Sequence, residues 1–134
     1  MAERMTTQEI VKNSYEVKNM KLNWESIYKA IYAASQTNKY RILRNGDTLF
    51  VIKILAPHEA GVMVFNAEKS FKNYIRNVKE FAKAMDIGGY TKVSAKGANI
   101  QMVNILKHAG YNVEAQPMDK EGKFFSIVGT KGGA

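Results

Sequence analysis

The stretch from Gly61 to Ala95 constrains the fold more than any other part of the chain. It opens with Gly61 to Asn66, a run that is almost wholly apolar (VMVF), as in a strand covered on both faces. Ser70 follows as a helix cap. Phe71, Tyr74, Ile75, Val78, Phe81, Ala82 and Met85 then recur with helical period up to about Asp86, a buried stripe. Gly88-Gly89 ends that helix, and Tyr90 to Ala95 reads as another strand. A strand–helix–strand unit of this length predicts a parallel pair joined by a right-handed crossover.

The flanking sequence adds antiparallel partners. Tyr40 to Arg44 and Thr48 to Leu55 are strand-like around Asn45-Gly46, a dipeptide suited to a type I′ hairpin turn. Pro57 ends the second of these strands. Downstream, Asn99 caps a helix whose predicted inner face is Ile100, Val103 and Leu106, helped by Met102 and Ile105, and Gly110 stops it. Tyr111 to Ala115 and Phe124 to Thr130 read as closing strands around the Asp119 to Lys123 turn. Toward the N-terminus, Thr6 and Glu9 have capping-box spacing. Tyr15 to Lys18 reads as a short strand by alternation. Asn23 caps a helix in which Trp24, Ile27, Tyr28 and Ile31 share one face, placing Trp24 in the core. These elements predict an α/β fold: one domain over 1–134, a three-layer mixed sheet with helices on both faces, and loose ends at about 1–14 and 131–134.

Several chemistries are excluded or weakened by the residue inventory. The chain of 134 residues has no cysteine, which removes disulfides, thiolate metal sites and a cysteine nucleophile. Its two histidines, His58 and His108, lack ligand spacing with any acid, so no metal site is expected, and His108 is expected to meet the carbonyls at its helix end. No nucleophile elbow, Walker loop or dinucleotide fingerprint is present. There is neither a signal-peptide pattern nor an apolar run of membrane-spanning length, so no membrane partner is expected. The net charge of +8 favours an acidic partner. One face of the Ser70–Asp86 helix concentrates that charge. Lys69, Lys72, Arg76, Lys79 and Lys83 recur at spacings of three and four, forming a candidate anion- or partner-binding face. The helix aromatics Phe71, Tyr74 and Phe81 are assigned to its opposite, buried side.

The element order and the last helix resemble the GNAT family of N-acetyltransferases. Around this helix the family often reads Asn, two residues, a small residue, two residues, Leu-Tyr, three residues, Gly-Phe. Here Asn99 stands at the asparagine, Ile105 at the leucine and Gly110-Tyr111 at the Gly-Phe. The resemblance implies the fold, acetyl-coenzyme A as cofactor and a loop of the form Arg/Gln-x-x-Gly-x-Gly/Ala around its pyrophosphate. The matching stretch is Lys69 to Tyr74 (KSFKNY), with Lys72 and Tyr74 at the glycine positions, where side chains would crowd a phosphate. The family's frequent general acid, a tyrosine, is replaced by Leu106, which transfers no proton. The base varies in the family. Glu59, the one carboxylate near the third strand's start, reads as a solvated loop acid. These losses imply a non-enzymatic structural or interaction protein with no catalytic, cofactor or metal residues.

The stretch Thr130 to Gly133 (TKGG), read after the strand Phe124 to Val128, is similar to the end of small GNAT-like internal virion proteins of short-tailed coliphages. That likeness implies a bacteriophage virion component with virion proteins as partners, located in the virion or the host cytoplasm. Two alternatives stand beside it: an acetyl-CoA-dependent N-acetyltransferase with an atypical cofactor loop, and a nucleic-acid-binding or anti-defence protein using the basic helix face.

Overall fold

The computed structural model describes residues 5–131. Gly132 and Gly133 of the TKGG stretch, and the rest of the expected loose tail beyond Lys131, lie outside the described residues. The chain folds as α1 (Thr7–Asn13), α2 (Tyr15–Asn19), α3 (Trp24–Ser35), β1 (Tyr40–Asn45), β2 (Thr48–Ala56), β3 (Glu59–Asn66), α4 (Phe71–Ile87), β4 (Lys92–Ala98), α5 (Ile100–His108), β5 (Tyr111–Pro117) and β6 (Phe125–Lys131). The strands form one sheet in the order β1-β2-β3-β4-β6-β5. Every neighbouring pair is antiparallel except β3 with β4, which the α4 crossover makes parallel.

Two cores flank the sheet, one on each face. Alternation along β2 divides them: Phe50 and Ile52 face α4 and α5, while Leu49 and Val51 face α1–α3. On the first face Phe50 stacks on Phe81 of α4 with ring centroids 4.5 Å apart. Val78, Met102, Leu106 and Ile127 complete that core. On the second, Ile10, Val11, Val17 and Ile31 pack on Leu49 and Phe65, with Trp24 half-buried beside them. The mixed sheet with helices on both faces follows the sequence expectation.

Several local expectations are corrected. Tyr15–Lys18 is not a strand. Ser14 accepts from Val17 N–H and caps the single turn α2, and two residues per side-chain repeat cannot be distinguished from one helical turn over so short a span. The β1–β2 turn centres on Gly46-Asp47, and only Gly46 has positive φ (54°). That is the type II′ pattern, with glycine first, rather than type I′. β3 is not covered on both faces throughout. Met63 is 49% exposed, because the N-terminal helices pack on β3 at its carboxyl end, over Phe65, and leave Met63 open. Phe71 and Ile100 were expected to be buried, yet are 63% and 46% exposed, each standing at the first position of its helix, where the core does not reach. The described part of the expected loose N-terminal segment carries a capping box between Thr6 and Glu9, and Ile10 and Val11 are wholly buried.

Candidate functional site

The parallel strands β3 and β4 separate part-way along. Their register runs from Glu59↔Lys92 to Met63↔Lys96 and stops. The last three residues of β3 (Val64, Phe65, Asn66) therefore pair with β2 alone. β4 turns away through Gly97, whose φ is 80°, at a register shift against β6. The result is a cleft at the carboxyl ends of two parallel strands, where open α/β sheets place ligands.

The cleft is occupied by the chain's own side chains. Glu16, projecting from α2, accepts a hydrogen bond from the backbone N–H of Asn66 at 2.5 Å. From α4, the Tyr74 hydroxyl donates to Asn99 Oδ1 at 2.9 Å. The same Asn99 oxygen accepts from Met102 N–H at 3.0 Å and so also caps α5. Glu16 and Tyr74 are 8% and 5% exposed. Burial pushes the Glu16 carboxyl up to about 7, against the opposing pull of the Asn66 N–H. Burial also raises the Tyr74 hydroxyl, reinforced by the negative charge of Glu16 and opposed by the bond to Asn99. The charge of Glu16 acts on the Tyr74 hydroxyl, so both buried side chains stand at this opening.

A second polar cluster lies at the loop into α4. Thr48 donates to Asn66 Oδ1 at 3.0 Å, and Asn77 donates both to Thr48 Oγ1 at 3.0 Å and to Glu68 Oε2 at 2.6 Å. Glu68 Oε2 also accepts from Asp47 N–H at 3.0 Å, which staples the loop to the β1–β2 turn. Ser70 caps α4 by accepting from Asn73 N–H at 3.3 Å. Every buried side-chain nitrogen and oxygen among the described residues has a partner.

The two positions expected to crowd a phosphate behave differently. Lys72 is exposed and leaves the helix end clear, whereas Tyr74 turns inward and crosses the cleft to Asn99. Leu106 is wholly buried in the α4–α5 core. Glu59 is not a loop acid: it begins β3 and lies 3.6 Å from the Lys92 ammonium. His58 Nδ1 lies 3.0 Å from Gly89 O, and His108 ends α5. No metal-binding group of three His, Cys, Asp or Glu occurs among the described residues. The row Lys69, Lys72, Arg76, Lys79 and Lys83 is exposed throughout, with Lys69 in the loop and the other four on α4. On the opposite sheet face, Lys53, Leu55, Met63, Lys96 and Val128 border an open basin of about 550 Å³.

Sequence reasoning missed Glu16, Asn66, Thr48 and Asn77. A cap signal at Ser14 was available for α2, but nothing in the sequence marks a glutamate as buried.

Three solved structures share this architecture. A protein assigned as a phosphinothricin N-acetyltransferase superposes with a TM-score of 0.58 at 12% identity, covering 96% of each chain. Tetrahymena GCN5 gives 0.52 at 15% identity, over 93% of this chain and 90% of that one. The ribosomal-protein-S18-alanine N-acetyltransferase of Escherichia coli gives 0.54 at 10%, over 98% and 94%. The chain has the GNAT fold. At these identities the likeness is one of fold alone. No protein-family profile matches the sequence, and no curated protein matches it. No helix among the described residues is long and apolar enough to cross a membrane.

Proposed function

We propose that this chain is a non-enzymatic interaction protein built on the GNAT fold, and a component of a bacteriophage virion. The observation that carries the first part is the self-filled cleft between β3 and β4. A ligand entering there must displace Glu16 from the Asn66 N–H and break the Tyr74–Asn99 hydrogen bond. Each exchange strands a buried polar group, at a cost of about 1–3 kcal/mol per group. The residues present do not fit acetyl-coenzyme A. Glu68 puts a carboxylate in the loop where a pyrophosphate would approach, Ser70 already holds the Asn73 N–H, and Leu106 offers no proton for a leaving thiolate. Titrating acetyl-CoA to millimolar concentration while following the melting temperature tests this reading. No shift is expected; a saturable rise would favour the acetyltransferase alternative.

The virion reading is supported by the Thr130–Gly133 stretch (TKGG), whose first two residues close β6 instead of following it. Mass spectrometry of purified particles tests it, and absence of the chain from them would overturn it. A second reading, nucleic-acid binding through Lys72, Arg76 and Lys79, is favoured by their common exposed face. Binding of that kind would weaken steeply with salt and with alanine at these three positions.

A further inference from the structure

We propose that α4 docks an acidic amphipathic helix from a partner protein, along a trough running from Phe71 to Asp86. The proposal rests on the interaction-protein reading above and names the partner's chemistry.

The trough has two parts that meet at Lys79. Phe71, Ile75 and Arg76 line one with Lys72, and Ala82, Lys83, Ile105 and His108 line the other, which has a volume of about 550 Å³. Its apolar side chains have regular spacing. Phe71, Ile75, Val78 and Ala82 follow one another at intervals of four, three and four, the repeat by which one helix packs on another. Val78 and Ala82 are buried beneath the stripe, Ile75 is half-buried, and Phe71 is 63% exposed. Each of these four is followed at once by a cation or its neighbour in the row: Lys72, Arg76, Lys79, Lys83. A basic ridge from Lys72 to Lys83 therefore runs beside an apolar stripe that is open at Phe71 and Ile75 and passes into the core at Val78 and Ala82.

The charge is complementary to an acidic partner. α4 carries four cations against Glu80 and Asp86, and Asp86 is already ion-paired with Lys131. A partner helix with apolar residues at the same repeat would cover Phe71 and Ile75 and set its acids against the ridge. Nucleic acid fits less well. The floor of Ala82, Ile105 and Ala109 offers nothing to a phosphate, and Glu80 and Asp86 interrupt a backbone track.

The test is an NMR titration of the whole chain with a designed peptide of leucines at heptad spacing flanked by glutamates. Comparison probes are its scrambled isomer, a lysine version, duplex DNA and single-stranded DNA. Saturable shifts confined to 71–86 and 105–109 are expected for the acidic amphipathic peptide. Phe71→Ser should weaken it about tenfold, as should Lys79→Glu with Lys83→Glu, and the charge-reversed protein should prefer the lysine peptide. All three positions are exposed, so the variants should keep the wild-type spectrum elsewhere. Equal binding of the scrambled isomer, shifts elsewhere, or tighter binding of either DNA would overturn the proposal. Acetyl-CoA added to a parallel sample reports separately: shifts at Glu16, Asn66, Tyr74 and Asn99 would refute the non-enzymatic reading and leave the trough untouched.

Discussion

Replacing Glu16 with Gln separates the charge of the cleft's filling side chain from its shape. Burial holds the carboxyl at about 7 instead of 4.5. Between these values the folded chain keeps a proton that the unfolded chain has lost, so stability falls as pH rises from 4.5 to 7 and stays reduced above it. At ~1.36 kcal/mol per pKa unit, ionised Glu16 costs the fold about 3 kcal/mol. Gln keeps an oxygen that can accept the Asn66 N–H and carries no charge. Glu16→Gln should therefore be more stable than wild type by up to about 3 kcal/mol at pH 8, with the difference vanishing by pH 4.5. Urea unfolding at pH 4.5, 6, 7 and 8 reads this directly, as a midpoint difference of about 1–2 M at pH 8. Other titrating groups contribute alike to both proteins and cancel in the difference. A difference that does not change with pH would refute the buried, proton-linked carboxylate. A wild type more stable than the variant at pH 8 would reverse its sign.

Three further substitutions probe the elements that hold this arrangement. Asn99→Ala removes both the α5 cap and the acceptor of the buried Tyr74 hydroxyl, so calorimetry should show a loss of about 2–3 kcal/mol. Gly46→Val places a side chain against the Glu68 carboxylate at a φ of 54°; a loss of about 1–3 kcal/mol is expected, and a neutral outcome would contradict the stapled loop. Phe81→Ala empties the partner of the Phe50 stack, for about 3–5 kcal/mol in denaturant unfolding.

The sheet and its crossover were legible because each long element carries its own period. The α4 stripe of Tyr74, Val78, Phe81 and Met85 and the Gly88-Gly89 stop needed no tertiary knowledge. Errors fell where local pattern does not determine environment. α2 is one turn, too short to show a period. Phe71 and Ile100 match their stripes but sit at first positions beyond the edge of the core. The cleft was legible only from one side. Tyr74 and Leu106 stand out against the family pattern, whereas Glu16 lies 50 residues from the Asn66 amide it meets. Such a contact is created by packing α2 across the sheet, and no spacing in the chain announces it.

The proposal that this GNAT-like fold is closed from within implies that it takes no acyl-coenzyme A. Calorimetric titration of acetyl-CoA into the intact protein at pH 8, where Glu16 is ionised, tests it most directly. No binding heat up to millimolar ligand and an unchanged melting temperature are expected. A saturable isotherm, accompanied by the ~2.7 kcal/mol of stabilisation expected at a hundred times the dissociation constant, would contradict it.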